Sequence, residues 1–187
     1  WHENGQIKFK GIFKDGNLVS EIKYLYDTNG QIILEGNYKD GKKHGKETWW
    51  NNGQISWEVY YKDGEADGKS TWWYDNGQMM IESNHIDSKK HGKSTSWNEN
   101  GQVIKEENYK DGNLVNETGY THYQNGQLKT EVNYKDGNQH GKFTEWYENG
   151  QIKFVGNYKD GEQEGKWTQW YESGEIYAEV NYKQDKF

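Results

Sequence analysis

Along most of this chain polar and apolar side chains alternate one by one, and the alternation stops at short polar clusters. Strands are predicted, because period-two patterning sends successive side chains to opposite faces of a sheet. No stretch sustains a helical period. The clusters themselves are regular: glycines following Asn, or Ser173 in the last copy, fall at Gly5, Gly30, Gly53, Gly77, Gly101, Gly126, Gly150 and Gly174. Their intervals are 25, 23, 24, 24, 25, 24 and 24 residues. Eleven residues beyond each of the first seven stands Gly16, Gly41, Gly64, Ser88, Gly112, Gly137 or Gly161, always preceded by Asp. A fixed period of this kind identifies a repeat array. Residues 1–187 read as one continuous array, with about seven full hairpin repeats and partial repeats at its ends.

Each repeat is expected to be one hairpin: a strand such as KFTEWYE, an Asn-Gly turn, and a strand such as QIKFVGNYK. Asn-Gly between alternating residues predicts a two-residue type I′ turn, which needs positive φ at both central positions. The KDGxxxGK segment then links one hairpin to the next. The expected fold class is all-β: an elongated single-layer antiparallel β-meander of about sixteen strands without significant helix, near 75 Å long at ~4.8 Å per strand. Gly16 and Gly112 both open an Asp-Gly-Asn-Leu-Val segment, 96 residues apart, which suggests internal duplication of a four-repeat block.

A two-residue turn would pair the residue three before each turn glycine with the residue two after it. One face would then hold Tyr74, Tyr123, Tyr147 and Tyr171 with Ile32, Ile55, Met79 and Ile152, and further along Leu34, Trp57, Gly36, Gly156, Tyr61 and Tyr158. That is the expected core face. The opposite face would carry Glu35, Glu58, Glu82, Glu106, Glu131 and Glu179, together with a ladder four residues before the turn glycines: Trp49, Trp73, Trp97, Trp146 and Trp170. The ladder has two readings. It stiffens the sheet by cross-strand stacking, or it is an exposed binding strip.

Composition sharpens this picture. Leu, Ile, Val and Phe together supply only about 15% of the residues, whereas 10 Trp and 15 Tyr take the apolar role, so the core is expected to be aromatic. The net charge of −7, with both signs interspersed, argues against nucleic acid and against anionic membrane surfaces. No apolar run approaches the length of a membrane-spanning helix, so no membrane insertion is expected. Cysteine is absent, which removes disulfides, thiol catalysis and Cys-based zinc sites. The chain starts inside a repeat, so a missing signal peptide says nothing of the compartment; cytoplasm, cell envelope and secretion all stay open.

The phrase WYENGQIKxxGNYKDGxxxGK resembles the bacterial variant of the MORN repeat, found in proteins described as YwqK-family antitoxins. The resemblance covers essentially the whole chain. It implies an elongated antiparallel sheet that acts as a scaffold or interaction surface. Departures are Ser88 for glycine, His85 for tyrosine, Ser173-Gly174-Glu175 for Asn-Gly-Gln, and the two Asn-Leu-Val copies.

The chain offers little candidate chemistry. His44, His91 and His140 share one repeat position two repeats apart, about 19 Å between neighbours, too far for one metal ion. The glutamate column steps by about 10 Å, near glycosidase carboxyl spacing, but periodicity alone produces that step. No cofactor, metal or catalytic constellation is expected, and the chain reads as non-enzymatic. Two functions remain. One is a protein-interaction module whose partner is a toxin, receptor or envelope protein, with end-to-end self-association through open sheet edges. The other is a carbohydrate- or cell-wall-binding module using exposed Trp, since the repeats are also similar to choline-binding and toxin-tail repeats.

Overall fold

In the computed structural model, which describes residues 1–3 and 5–183, every regular element is a strand. The strands are β1 Phe9–Lys14, β2 Asn17–Tyr26, β3 Ile32–Lys39, β4 Lys42–Asn51, β5 Gln54–Lys62, β6 Glu65–Trp73, β7 Met79–Ile86 and β8 Lys89–Lys90. They continue as β9 Gly92–Trp97, β10 Val103–Lys110, β11 Asn113–His122, β12 Leu128–Lys135, β13 Asn138–Trp146, β14 Ile152–Lys159, β15 Glu162–Trp170 and β16 Ile176–Tyr182. Among the described residues pairing follows chain order, apart from β8, which pairs with β7, and neighbouring strands such as β13 and β14 run antiparallel. The expected all-β meander of sixteen strands is thus observed. Two compact units divide the chain: residues 1–94 with 99–101, and residues 95–98 with 102–187.

The turn chemistry is the reverse of the expectation. The two-residue type I′ turns are the Asp-Gly pairs: Asp15, Asp40, Asp63, Asp111, Asp136 and Asp160 have φ between 48° and 52°, and each is followed by a glycine at positive φ. The register confirms it, since Lys39 pairs with Lys42 and Lys159 with Glu162 across those turns. At most Asn-Gly sites the loop has three residues. Tyr147 N–H donates to the Gln151 carbonyl at 2.7 Å and Gly150 N–H to the Tyr147 carbonyl at 2.9 Å, so only the glycine takes positive φ. This is the three-residue hairpin loop built on a type I turn with a bulge. Among the described residues only Asn52-Gly53 keeps the expected two-residue form, with φ of 50° and 79°. It closes the 23-residue interval, the shortest in the chain.

A bulge beside each three-residue loop corrects the predicted pairing. Trp146 faces Ile152 while Glu145 faces Phe154, leaving Lys153 as the extra residue. Hence the residue four before the glycine, not three, pairs with the residue two after it. A second irregularity follows each Asp-Gly turn, where Gly45, Gly68, Gly141 and Gly165 adopt positive φ. In the two Asn-Leu-Val copies it shrinks to one residue, between Ile12 and Phe13 in one and between Asn108 and Tyr109 in the other.

The core of each unit is a row of cross-strand neighbours on one sheet face, here called the Gly–Tyr face because it carries Gly36, Tyr38, Tyr61, Gly156 and Tyr158. In unit one the row includes Gly36, Glu47, Val59, Ser70 and Ser83, each directly opposite the next. In unit two it includes Gly119, Val132, Phe143, Gly156, Trp167 and Val180. The Trp167 indole lies directly over Gly156, where an added Cβ would sit 2.1 Å from ring carbon Cδ2. Glycine at 156 is the space that the ring occupies.

Candidate functional site

The opposite surface, the Thr–Glu face, is built around a Thr-x-Trp pattern near the ends of β4, β6, β9, β13 and β15, from Thr48, Thr71, Thr95, Thr144 and Thr168; β2 and β11 carry Tyr24-Leu25-Tyr26 and Tyr120-Thr121-His122 there. Thr48, Thr71, Thr144 and Thr168 are buried there and pair with the glutamates: Thr48 lies between Glu35 and Glu58, and Thr71 between Glu58 and Glu82. Lysines complete the charge pattern. Lys46 Nζ lies 2.7 Å from Glu58 Oε1, which also accepts the Thr48 hydroxyl at 3.1 Å, and Lys69 pairs with Glu82.

Two residues beyond each threonine stands a half-buried tryptophan: Trp50, Trp73, Trp97, Trp146 or Trp170. Trp73 pairs with Met79, Trp146 with Ile152 and Trp170 with Ile176; Trp50 pairs likewise with Ile55. These aliphatic partners are exposed, from 38% at Ile55 and Met79 to 56% at Ile176. Each unit therefore presents an apolar stripe of alternating Trp and aliphatic side chains, bordered by the Glu–Lys–Thr columns. The aliphatic column was expected in the core. The bulge at its foot turns it instead to the Trp side.

Trp49 does not belong to this ladder. The shorter Asn52-Gly53 turn slides β4 by one residue, so Trp50 takes the ladder position and Trp49 moves to the Gly–Tyr face. There it stacks on Trp57, with centroids 5.4 Å apart and planes at 11°, and Trp57 in turn faces Trp72. Sequence reasoning missed this three-tryptophan row. The one-residue deficit in the interval between Gly30 and Gly53 was the signal that could have found it.

Beside that row, Glu47 is 1% exposed and held by Lys43 Nζ at 2.8 Å, with the Trp49 indole N–H donating at 3.2 Å. Burial pulls the Lys43 ammonium down, but hydrogen bonding and attraction to Glu47 outweigh it and hold the pKa above the usual lysine value. In unit two the corresponding region is apolar. Trp167 meets Phe143 at 5.5 Å, Tyr158 at 5.1 Å and Tyr182 at 6.2 Å, and a cleft of about 310 Å³ opens above them.

Side chains in the turns tie successive repeats together. Tyr123 and Tyr147, expected in the core, donate their hydroxyls to the carbonyls of Trp146 and Trp170 at 2.7 Å. Asn76 Nδ2 donates to the Glu99 carbonyl at 2.7 Å and Gln102 Nε2 to the Gly126 carbonyl at 3.0 Å. In the same way His44 and His140 place Nδ1 3.3 Å from Asp63 and Asp160 in the next Asp-Gly turn. Among the described residues no group of three His, Cys, Asp or Glu could hold a metal ion. His85, standing where other repeats have Tyr, has Nδ1 2.7 Å from Ser70 Oγ; burial, and then Lys90, pull its pKa below the usual value. Tyr120, hydrogen-bonded to Glu106 at 3.3 Å, is pushed up to about 12, first by burial and then by Glu106 and Glu131.

A family model described as "Uncharacterised protein" matches residues 44–186, and the MORN repeat variant model matches residues 1–15 and 22–40. No curated protein matches this chain. Two solved structures share local similarity. One is a GtfA/B complex bound to UDP and GlcNAc, at 14% identity and a TM-score of 0.23, covering 61% of this chain and 22% of that one. The other is the accessory secretory protein 1, 2 and 3 structure from Streptococcus pneumoniae, at 15% identity and 0.21, covering 77% and 23%. This chain spans less than a quarter of either.

Proposed function

Because the chain is built of MORN-type repeats and belongs, over residues 44–186, to a family described as an uncharacterised protein, we propose that it is a non-enzymatic scaffold presenting the Thr–Glu face to a protein partner. The observation that carries this reading is the apolar stripe, in which Trp50, Trp73, Trp146 and Trp170 each have an exposed Ile or Met directly across from them. Contiguous apolar surface rimmed by charge is the anatomy of a protein-binding surface. The cross-repeat hydrogen bonds support the same reading: they hold the stripe in fixed register before a partner arrives, which lowers the ordering cost of association. Toxins, receptors and envelope proteins are partners of suitable kind.

Photocrosslinking tests the proposal directly. A benzophenone side chain at Ile55, Met79 or Ile152 is expected to yield a discrete protein adduct in cells, whereas one at Ile81, on the other face, yields none. Failure of all three stripe positions to capture any protein sinks the reading.

A second mode of association has its own support. Both outermost strands are exposed, with Ile12 and Phe13 of β1 at 66% and 60% and Tyr177 of β16 at 56%. Edge strands offer unpaired backbone groups to a second chain, so end-to-end self-association of this 187-residue chain is proposed. A single monomeric species in sedimentation equilibrium at high concentration would remove it.

A further inference from the structure

The Gly–Tyr face of unit two takes no part in the docking stripe, yet it contains the cleft with the most developed chemistry. Its floor is rigid: Trp167 is only 7% exposed, seated on Gly156 and flanked by Phe143, Tyr158 and Tyr182. Toward the opening stand half-buried Phe154, Tyr182 at 39% exposure and Val180 at 48%. The rim is polar. Gln163 and Gln169 line the cleft and their side-chain amides make no hydrogen bond among the described residues, while Glu145 Oε1 accepts from Lys153 Nζ at 2.9 Å. An apolar floor with a few convergent polar groups is the usual make-up of a small-ligand site, and the volume is at the lower end of that range.

We propose that this cleft binds a neutral pyranose ring. The chemistry on the rim selects against other ligands. A cation finds the attraction already satisfied, because Lys153 occupies Glu145 and lies 5.5 Å from the Phe154 ring centroid. The same Glu145–Lys153 pair is neutral overall and holds its ammonium on the carboxylate, so an anion gains no net attraction either. A wholly apolar ligand would cover the two glutamine amides without giving them partners, which is costly. A pyranose satisfies every group at once. Its apolar C–H face fits the aromatic floor, and its hydroxyls both donate and accept, matching amides that do the same. Unit one lacks the arrangement: Ser70 stands at the register position of Trp167, and Trp72 at that of Gln169.

The test is titration of the full chain with methyl β-glucopyranoside, methyl β-galactopyranoside and cellobiose, followed by saturation-transfer NMR and tryptophan fluorescence. At least one is expected to bind with a millimolar dissociation constant. Gln163→Ala and Gln169→Ala should each weaken binding up to about tenfold, the loss of roughly one hydrogen bond. Ala178→Phe, which fills the cleft opposite Gln169, should abolish binding while the thermal melt is retained; Lys39→Ala in unit one should leave it unchanged. The proposal is overturned if none of the three sugars binds, if binding survives Ala178→Phe, or if tetramethylammonium displaces the sugar from the same site. These outcomes concern the opposite face from the crosslinking positions, so either reading can fail alone.

Discussion

Corresponding register positions of the two units carry opposite chemistry. In unit one the row at the centre of the Gly–Tyr face is small or polar, with Glu47, Ser70 and Ser83, and the large rings Trp49, Trp57 and Trp72 stand two residues away along the strands. In unit two the rings have moved into the central row as Phe143 and Trp167, and the positions two residues away hold Glu145, Phe154 and Gln169. The backbone register accommodates both. What each neighbourhood holds is a cluster of bulky rings next to small or long, flexible side chains, as close packing of a fixed volume demands. A repeat phrase can thus specify turns and pairing while leaving the face free to take on different chemistry.

The largest expected break in that comparison is Trp167→Ala. It should cost about 3–5 kcal/mol in denaturant unfolding, because it empties the centre of unit two. Ser70→Ala, at the same register in unit one, should change stability by no more than about 1 kcal/mol, despite losing the hydrogen bond to His85. Equal effects from the two substitutions would mean that the central rows are not the cores of their units.

Glycine substitutions sharpen the contrast. At Gly156 an added methyl group meets the Trp167 ring at 2.1 Å, whereas at Gly36 it meets Tyr38 at 3.0 Å and Glu47 at 3.3 Å. Gly156→Ala should therefore destabilise the protein several-fold more in free energy than Gly36→Ala, read from paired thermal melts. Removing the buried carboxylate of unit one comes next: Glu47→Ala strands the Trp49 indole N–H and should cost about 1–3 kcal/mol.

The smallest effects are pH-dependent and differ in sign between units. His85 in unit one has a depressed folded-state pKa. Its unfolded form binds a proton first, so the stability it contributes is present above about pH 6.5 and falls as the solution is acidified. His85→Tyr should flatten that acid limb in urea titrations at different pH values. In unit two Tyr120 is raised to about 12. Its contribution is full below about pH 10 and declines as pH rises towards the folded value; Tyr120→Phe should delete the late phenolate transition in ultraviolet titration.

Strand number, meander order and repeat period were legible because period-two alternation and turn residues are local signals. Face assignment was less so, and the reason is specific. Asn-Gly suits a two-residue turn, but Asn149 Oδ1 accepts the Gln151 N–H at 2.9 Å and Tyr147 closes the loop over three residues. The resulting bulge shifts pairing by one, and a one-residue slip turns side chains to the other face. Trp73, Trp97, Trp146 and Trp170 stayed on the predicted side, whereas Trp49 was exchanged for Trp50 by a single missing loop residue. The cleft of unit two was illegible for another reason: no one repeat contains it, and it arises only where Gly156, Trp167 and Tyr182 of successive strands meet.

Most side-chain hydrogen bonds between successive Asn-Gly turns share a direction. Gln6 reaches the Gly30 carbonyl, Tyr123 that of Trp146, and Asn149 that of Glu172: the donor belongs to the earlier repeat and the acceptor to the later. Because these acceptors are backbone carbonyls one period along, excising or inserting one whole repeat rejoins such donors to equivalent acceptors. Loss of any other length does not. The array is therefore tolerant of recombination only in quanta of one repeat, and such a gene can lengthen or shorten by unequal crossing-over while each surviving joint closes as before.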